Sequence, residues 1–334
     1  MHTLIAGSRV SSDTQGITFC SFDEQTGFIQ YLTGFGGVEQ PTFQCFDGER
    51  HILYTVSETE NDGHVYGFRV SPSLTCEQMF CVRSLGGSPC HLALSPSGDS
   101  LAVANYATGT FTCLRFNECN YTENFAGKGT HPVRQKKSHI HSSLWTDEGS
   151  SVLVADLGLD RIIWYKDCFT LKQYIQVPPG TGPRHMALST DKTMLFVAGE
   201  LSSEVLVIQL GPEPSVVQTI STLPPDFTDE NTAADIHLSP DGRFLYCSNR
   251  GHNSIAMYAV DQTSGFLTLL GHCKVESEPR NFCIDPSGAY LLCGNASGNS
   301  ITVHAIDQQT GILSSAVQRF ELQAPVCLTF ITIG

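Results

Sequence analysis

Arginine, histidine and carboxylate residues recur at two places in a repeated pattern along this chain. His91, His139, His141, Arg184, His185, Asp235, Arg280 and Asn281 stand at the start of one kind of β-like run. Glu58, Asn105, Tyr106, Asp156, Glu200, Asn249, Arg250 and Asn295 stand at the end of the run that follows it. Two consecutive antiparallel strands bring the start of the first and the end of the second to the same edge. The pattern therefore predicts a ring of these groups around one mouth of a channel. Arginine mixed with imidazoles and carboxylates suits an anionic substrate that is hydrolysed or exchanges a proton.

The elements that must position these groups are short strands joined by tight turns. The stretch Ala233 to Tyr258, AADIHLSPDGRFLYCSNRGHNSIAMY, states the plan most clearly. Asp235-Ile236-His237-Leu238 alternates with the period of a strand. Ser239-Pro240-Asp241-Gly242 follows as a turn in which Pro fixes φ, Asp bonds back to the backbone and Gly accepts a positive φ. Arg243 to Ser248 returns, Asn249 to Asn253 turns again, and Ser254 to Val260 makes a third run. The plan recurs from openings at Pro41, Pro89, Ile140, Pro183, Asp235, Pro279 and Pro325, spaced by roughly 45 to 50 residues, the size of one propeller blade. Their turns are Asp47-Gly48-Glu49, Ser95-Pro96-Ser97-Gly98, Thr146-Asp147-Glu148-Gly149, Ser189-Thr190-Asp191-Lys192, the stretch just quoted, and Asp285-Pro286-Ser287-Gly288.

Six full copies lie between two fragments. The C-terminal fragment offers a first strand, and the N-terminal runs 1–7, 16–21 and 28–33 offer what would follow it. Together they predict an all-β, seven-bladed β-propeller with four antiparallel strands per blade, one domain over 1–334, its ring closed by terminal strands that share a blade. A pair of β-sandwiches leaves the fixed period unexplained, and an open solenoid needs caps that the broken last copy does not supply. The chain has no Trp-Asp dipeptide, so the glue of a WD propeller is absent.

A formal charge of −14, with Lys and Arg read as unclustered, argues against nucleic acid or an anionic membrane as partner. Neither an apolar leader segment nor a membrane-length apolar span is expected. The thirteen cysteines lack C-x-x-C spacing and fall largely inside β-like runs, which reads as buried thiols in a reducing cytoplasm.

Several groups carry a structural reading beside the functional one. Asn105, Asn249 and Asn295 suit the chemistry of the turns they precede. His237 reads either as an inner-strand histidine satisfied in place or as a functional group. His51, His64, His252, His272 and His304 show no convergence and are expected at surfaces or turns. Glu200 ends the buried run MLFVAG on the same face as Arg184, which favours a functional carboxylate. His139 and His141, two apart, would project to one side, yet a metal site there with Asp156 or Glu200 would be opposed by Arg184. No metal and no cofactor is expected, and the chain has no phosphate loop or nucleophile elbow.

The segments SHIHSS, VADLGLDRI, GPRHMAL, GELSSEV, AADIHLSPDGRFLYCSNRGHNSIAMY and PRNFCIDPSG resemble the lactonase family of seven-bladed propellers. That family includes bacterial-type 6-phosphogluconolactonases and fungal carboxymuconate-lactonizing enzymes. The likeness covers nearly the whole chain and is strongest from His139 to Ile306. It implies active-site roles for His141, Arg184 and Glu200, and places the family's further arginines at Arg250 and Arg280. The chain departs from the family pattern at Ser138, where Pro is usual before H-x-H, and at Gly199, where Asn is usual before E-L.

The resulting expectation is hydrolysis of a sugar lactone, 6-phosphogluconolactone first, without a cofactor, in the cytoplasm. Glu200 or His141 would take the proton from water, the other would return it, and Arg184 would meet the oxyanion. His139, Asp156, His185, Asp235, Arg250, Arg280, Asn281 and Glu58 are expected to hold the small anionic substrate. Muconate-type lactone chemistry is the second reading, and a non-catalytic propeller that binds a metabolite or protein is the third. Oligomeric state is not legible.

Overall fold

The computed structural model describes residues 2–116, 120–146 and 151–332. The turn expected at 147–149 lies outside them. Among the described residues the regular structure is almost all strand, with one 3-10 turn at Leu157–Leu159. Seven four-stranded antiparallel sheets are the blades of a seven-bladed propeller.

In strand order a to d, blade 1 is Gln44–Asp47, Ile52–Ser57, His64–Val70 and Cys76–Arg83. Blade 2 is Pro89–Leu94, Ser100–Asn105, Thr110–Arg115 and Tyr121–Asn124; blade 3 is Ile140–Thr146, Ser151–Asp156, Arg161–Lys166 and Thr170–Gln176. Blade 4 is Pro183–Leu188, Met194–Gly199, Glu204–Gln209 and Ser215–Ser221. Blade 5 is Thr232–Leu238, Phe244–Arg250, Ser254–Val260 and Leu267–Lys274; blade 6 is Pro279–Ile284, Tyr290–Asn295, Ser300–Ile306 and Leu313–Glu321. Blade 7 takes its strand a from the C-terminal Pro325–Ile331 and the rest from His2–Ser8, Ile17–Asp23 and Phe28–Phe35, the shared sheet that the two fragments imply.

The chain divides into two compact units. The first holds Met1–Arg9, Thr18–Thr33 and His185–Phe330; the second holds Val10–Ile17, Gly34–Arg184 and Ile331–Gly334. Within each unit consecutive blades share an apolar core. In the first unit Phe196, Val207, Ile236, Leu245 and Tyr258 join blade 4 to blade 5, and Tyr246, Met257, Phe282 and Leu291 join blade 5 to blade 6. In the second, Tyr54, Leu92 and Val103 join blade 1 to blade 2, and Phe111, Ile140, Val154 and Tyr165 join blade 2 to blade 3.

The a–b turns form as their residue types dictate. In blade 5 the Gly242 N–H donates to Ser239 O at 2.8 Å, Ser239 Oγ donates to Asp241 Oδ1 at 2.7 Å, and Gly242 has φ +75°. Blade 4 builds the same turn without glycine, so Lys192 takes the left-handed φ of +59°.

At the end of strand b, Asn105, Asn249 and Asn295 are fully buried. Asn249 donates to Thr222 O at 2.7 Å and to Ser254 Oγ, and it accepts from Thr222 Oγ1 and Asn231 Nδ2. Asn295 donates to the carbonyls of Cys293 and Ser300, and Asn105 to those of Ser84 and Thr110. These amides do the hydrogen bonding of the turns that follow them. Asn249→Ala is expected to cost about 2–3 kcal/mol, because it strands buried donors and acceptors that no water reaches. Equilibrium urea unfolding measures this, and a loss below about 0.5 kcal/mol would remove the amide from the account.

Candidate active site

A β-bulge opens strand a of several blades, with the register slipping between Pro89 and His91, Ile140 and Ser142, Ala233 and Ile236, and Pro279 and Asn281. A bulge leaves one residue outside the ladder and re-aims its side chain. His141 and Arg280 are such residues, and Arg184 has the matching place after Pro183 in blade 4. Glu200 and Arg250 follow or end strand b at the corresponding places of blades 4 and 5.

The first unit holds two such groups. Arg250 Nη2 lies 3.1 Å from Glu200 Oε2, with the two side chains 14% and 3% exposed, and it also donates to Ala233 O at 3.1 Å. Burial pulls the Arg250 guanidinium below its ordinary range; Glu200 acts against this, while the like charge of Arg280 adds to it. Arg280 therefore sits within electrostatic reach of Arg250, half-buried, and it has neither an ion pair nor a hydrogen bond among the described residues. Glu278 adds a weaker opposing charge, so two guanidiniums share the corner with the bonded Glu200 and the more distant Glu278.

The second group centres on Asp235, which is 2% exposed. Its Oδ1 accepts from His185 Nδ1 at 2.6 Å and from the Ile236 N–H at 3.0 Å. Its Oδ2 accepts from His237 Nε2 at 3.0 Å, Asn281 Nδ2 at 2.5 Å and the Phe282 N–H at 3.1 Å. Asn281 Oδ1 in turn accepts the Leu328 N–H at 2.7 Å, so the bonds run from strand a of blade 4 through blades 5 and 6 to blade 7. Desolvation works to raise the Asp235 carboxyl, but His237 and His185 outweigh it and hold it well below the usual carboxylate range.

In the second unit Tyr106 is the hub. His139 stacks on its ring with centroids 4.4 Å apart, and His141 meets the same ring edge-on at 5.5 Å. His139 Nδ1 is 2.8 Å from Tyr106 O, and burial pushes its imidazole below the ordinary range. His141 is 5% exposed, with Nδ1 facing the Cys90 thiol at 3.9 Å. Arg184 is 2% exposed, and its carbonyl accepts Ser142 Oγ at 2.5 Å. Asp156, with no exposed surface, accepts from Ser138 Oγ, the His139 N–H and Arg161 Nε. Burial raises its carboxyl despite those donors. Asp156 thus has the turn-holding place that Asn105, Asn249 and Asn295 have in other blades. Glu58 follows strand b of blade 1, with Oε2 buried and unbonded.

The structure corrects three expectations made from residue type. His304 is buried within a strand instead of lying at a surface or turn, bonded to Ser314 O and Thr302 Oγ1, whereas His252 does lie in a turn, bonded to Ser254 Oγ. Cys113 and Cys168 form a disulfide linking blade 2 to blade 3, while ten other described cysteines are thiols. Lys and Arg also cluster once: Lys128, Arg134, Lys136 and Lys137 fall within ten residues. Gln135, 1% exposed, fastens that segment by accepting from the Thr130 and His131 N–H groups and donating to Leu157 O and Asp160 Oδ1. Arg134 Nη2 donates to Tyr106 OH at 3.0 Å and Lys137 donates to Ala107 O. The basic run was legible in the sequence, but an overall charge of −14 masks it. No group of three or more His, Cys, Asp or Glu side chains arranged to hold a metal ion occurs among the described residues. No helix of the described residues is long and apolar enough to cross a membrane.

A seven-bladed propeller that carries His141, Arg184 and Arg280 at matching strand-a openings is a small-molecule-handling propeller, not a scaffold of uniform blades. The sequence profile described as "Lactonase, 7-bladed beta-propeller" matches residues 3–330, and the chain belongs to that family. It is 31% identical over 294 residues to a 6-phosphogluconolactonase of Bacillus subtilis (strain 168), covering 84% of each chain. A 6-phosphogluconolactonase of Formosa agariphila is 30% identical over 290 residues, covering 81% of this chain and 82% of the relative. The solved structure of the periplasmic gluconolactonase of Pseudomonas aeruginosa superimposes with a TM-score of 0.92 at 27% identity, over 100% of this chain and 99% of that one.

Proposed function

We propose that this protein hydrolyses a sugar-acid lactone bearing an anionic group, with 6-phosphogluconolactone as the first substrate, giving 6-phosphogluconate. The observation that carries the reading is Arg280, a guanidinium without an ion pair or hydrogen bond among the described residues, beside the buried Arg250–Glu200 pair. A phosphate monoester is a ligand that two adjacent guanidiniums bind well, by charge-assisted bonds. Membership in the lactonase family, and relatives named for this reaction, support the choice of lactone.

Hydrolysis needs a base for water, donors for the oxyanion and a proton for the ring oxygen. Glu200 or His141 takes the proton from water; Glu200 is favoured because Arg250 stabilises its charged form. Arg184, always charged, donates to the oxyanion, and Arg250 and Arg280 hold the phosphate. The cytoplasm is the compartment we propose, since most of the cysteines are thiols.

The deciding experiment is turnover of the purified protein against 6-phosphogluconolactone, unphosphorylated gluconolactone and carboxymuconolactone, each corrected for spontaneous hydrolysis. The phosphorylated sugar lactone is expected to be preferred, and Arg184→Ala is expected to slow it about 10²-fold. Preference for the muconolactone would replace the substrate, and inertness to all three would end the enzymatic reading.

A further inference from the structure

We propose that His237 is the acid that delivers the proton to the leaving ring oxygen, oriented for that task by Asp235. The proposal rests on the lactone-hydrolase reading above and adds to it a residue for the second proton transfer.

His237 lies two residues after Asp235 on strand a of blade 5, so the two side chains project to the same side of the sheet. Its Nε2 is committed to Asp235 Oδ2 at 3.0 Å, and a carboxylate can only accept. The proton on that nitrogen is thereby fixed, and Nδ1 is the atom that gains and loses one. Nδ1 has no hydrogen-bond partner among the described residues. The ring is also held from the side, edge-on to Phe282 with centroids 4.8 Å apart. Yet 42% of the side chain is open to solvent, whereas Asp235 is 2% exposed and His185 9%. A buried carboxylate, an oriented imidazole and a second ring nitrogen without a protein partner among the described residues are the parts of an acid–base dyad.

Among the groups around it, Asp235 alone carries a negative charge on the imidazole. His185 shares the opposite oxygen of that carboxylate, and Asn281 and the Phe282 N–H complete it. The thiols of Cys283 and Cys293 near Asp235 are pushed up by burial and stay neutral, as does Tyr246, the cross-strand neighbour of His237. Desolvation would lower the His237 imidazole, but the charge and hydrogen bond of Asp235 prevail and raise it above the ordinary range. The acid form therefore persists to higher pH than in an ordinary imidazole and is lost as pH rises through the raised value.

The step balances. Water adds to the lactone carbonyl carbon and the base takes one of its protons. The bond from that carbon to the ring oxygen breaks, and the proton on Nδ1 passes to the ring oxygen as it becomes a hydroxyl. The product acid ionises, the base releases its proton to solvent, and solvent restores the imidazolium.

The test is the pH dependence of kcat between pH 6 and 8.5 for wild type, His237→Gln and Asp235→Asn, with ring 15N NMR reporting the His237 titration directly. His237→Gln is expected to cost about tenfold in kcat at pH 7 and to abolish the alkaline fall. Asp235→Asn is expected to move that fall to lower pH, because it removes the charge that raises the imidazole. An active wild type whose alkaline fall survives in His237→Gln, or stays in place in Asp235→Asn, overturns the inference and leaves the hydrolase reading intact. A wild type inert to every lactone removes both. Should Asp235→Asn fail to fold, His237→Gln decides alone, since the replaced side chain is exposed.

Discussion

Glu200→Gln is expected to lower kcat for lactone hydrolysis by about 10³-fold while KM changes by less than about threefold. The glutamine keeps the volume of a side chain that is 3% exposed and keeps an oxygen facing Arg250 Nη2, so the fold and the position of the guanidinium survive. What is lost is the charge that removes a proton from water. A base acts only as the transition state forms, so its loss falls on kcat. The split between the two constants separates this role from the bland alternative, in which Glu200 merely neutralises Arg250. In that case kcat would hold, and KM for an anionic substrate would fall, because an unpaired Arg250 attracts phosphate more strongly. His141→Gln is the control. If it produces the larger loss in kcat, the imidazole edge-on to Tyr106 is the base and the carboxylate is not.

The blades were legible because their signals are local. A Ser-Pro-Asp-Gly turn closes on bonds between its own residues, as at Ser239 to Gly242, and the strands on either side alternate with period two. The same period placed Asp235 and His237 on one side, and they are bonded to each other. The polar ring around one mouth was reasoned from strand direction alone. The bulges were not foreseen, since one extra residue per strand leaves no mark on composition, yet they give His141 and Arg280 their places outside the ladder. Partnerships between blades were equally hidden: Arg250 and Glu200 are 50 positions apart, as are Asp235 and His185. Cys113 and Cys168 look like any other small apolar residues in a strand or turn until the packing of blade 2 on blade 3 brings them together. The departure at Gly199 is now intelligible. It falls where other blades carry a buried turn-holding Asn, so it bears on the turn after strand b more than on the Glu200 carboxylate.

Arg280→Ala is expected to lower kcat/KM for 6-phosphogluconolactone by about 10²-fold and to leave unphosphorylated gluconolactone within about threefold of wild type. Truncating one partner of a desolvated charge-assisted bond costs about 2–5 kcal/mol, and the lower half of that range corresponds to the loss expected here. Arg280 is the residue to remove because Arg250 already answers Glu200, so its loss would strand a buried carboxylate as well as a phosphate. Arg280 has no such internal obligation among the described residues, and a drop in affinity after its removal reports on the ligand alone. Arg280→Lys should recover only part of the loss, since an ammonium keeps the charge but not the planar fork that grips two phosphate oxygens. Raising the salt concentration should weaken phosphorylated-substrate binding more in wild type than in Arg280→Ala, because one attractive charge has gone. Equal losses for both lactones would instead put Arg280 at the reacting carbonyl. The phosphate would then have to be sought elsewhere in the protein, with the basic run Lys128 to Lys137 the next segment to substitute.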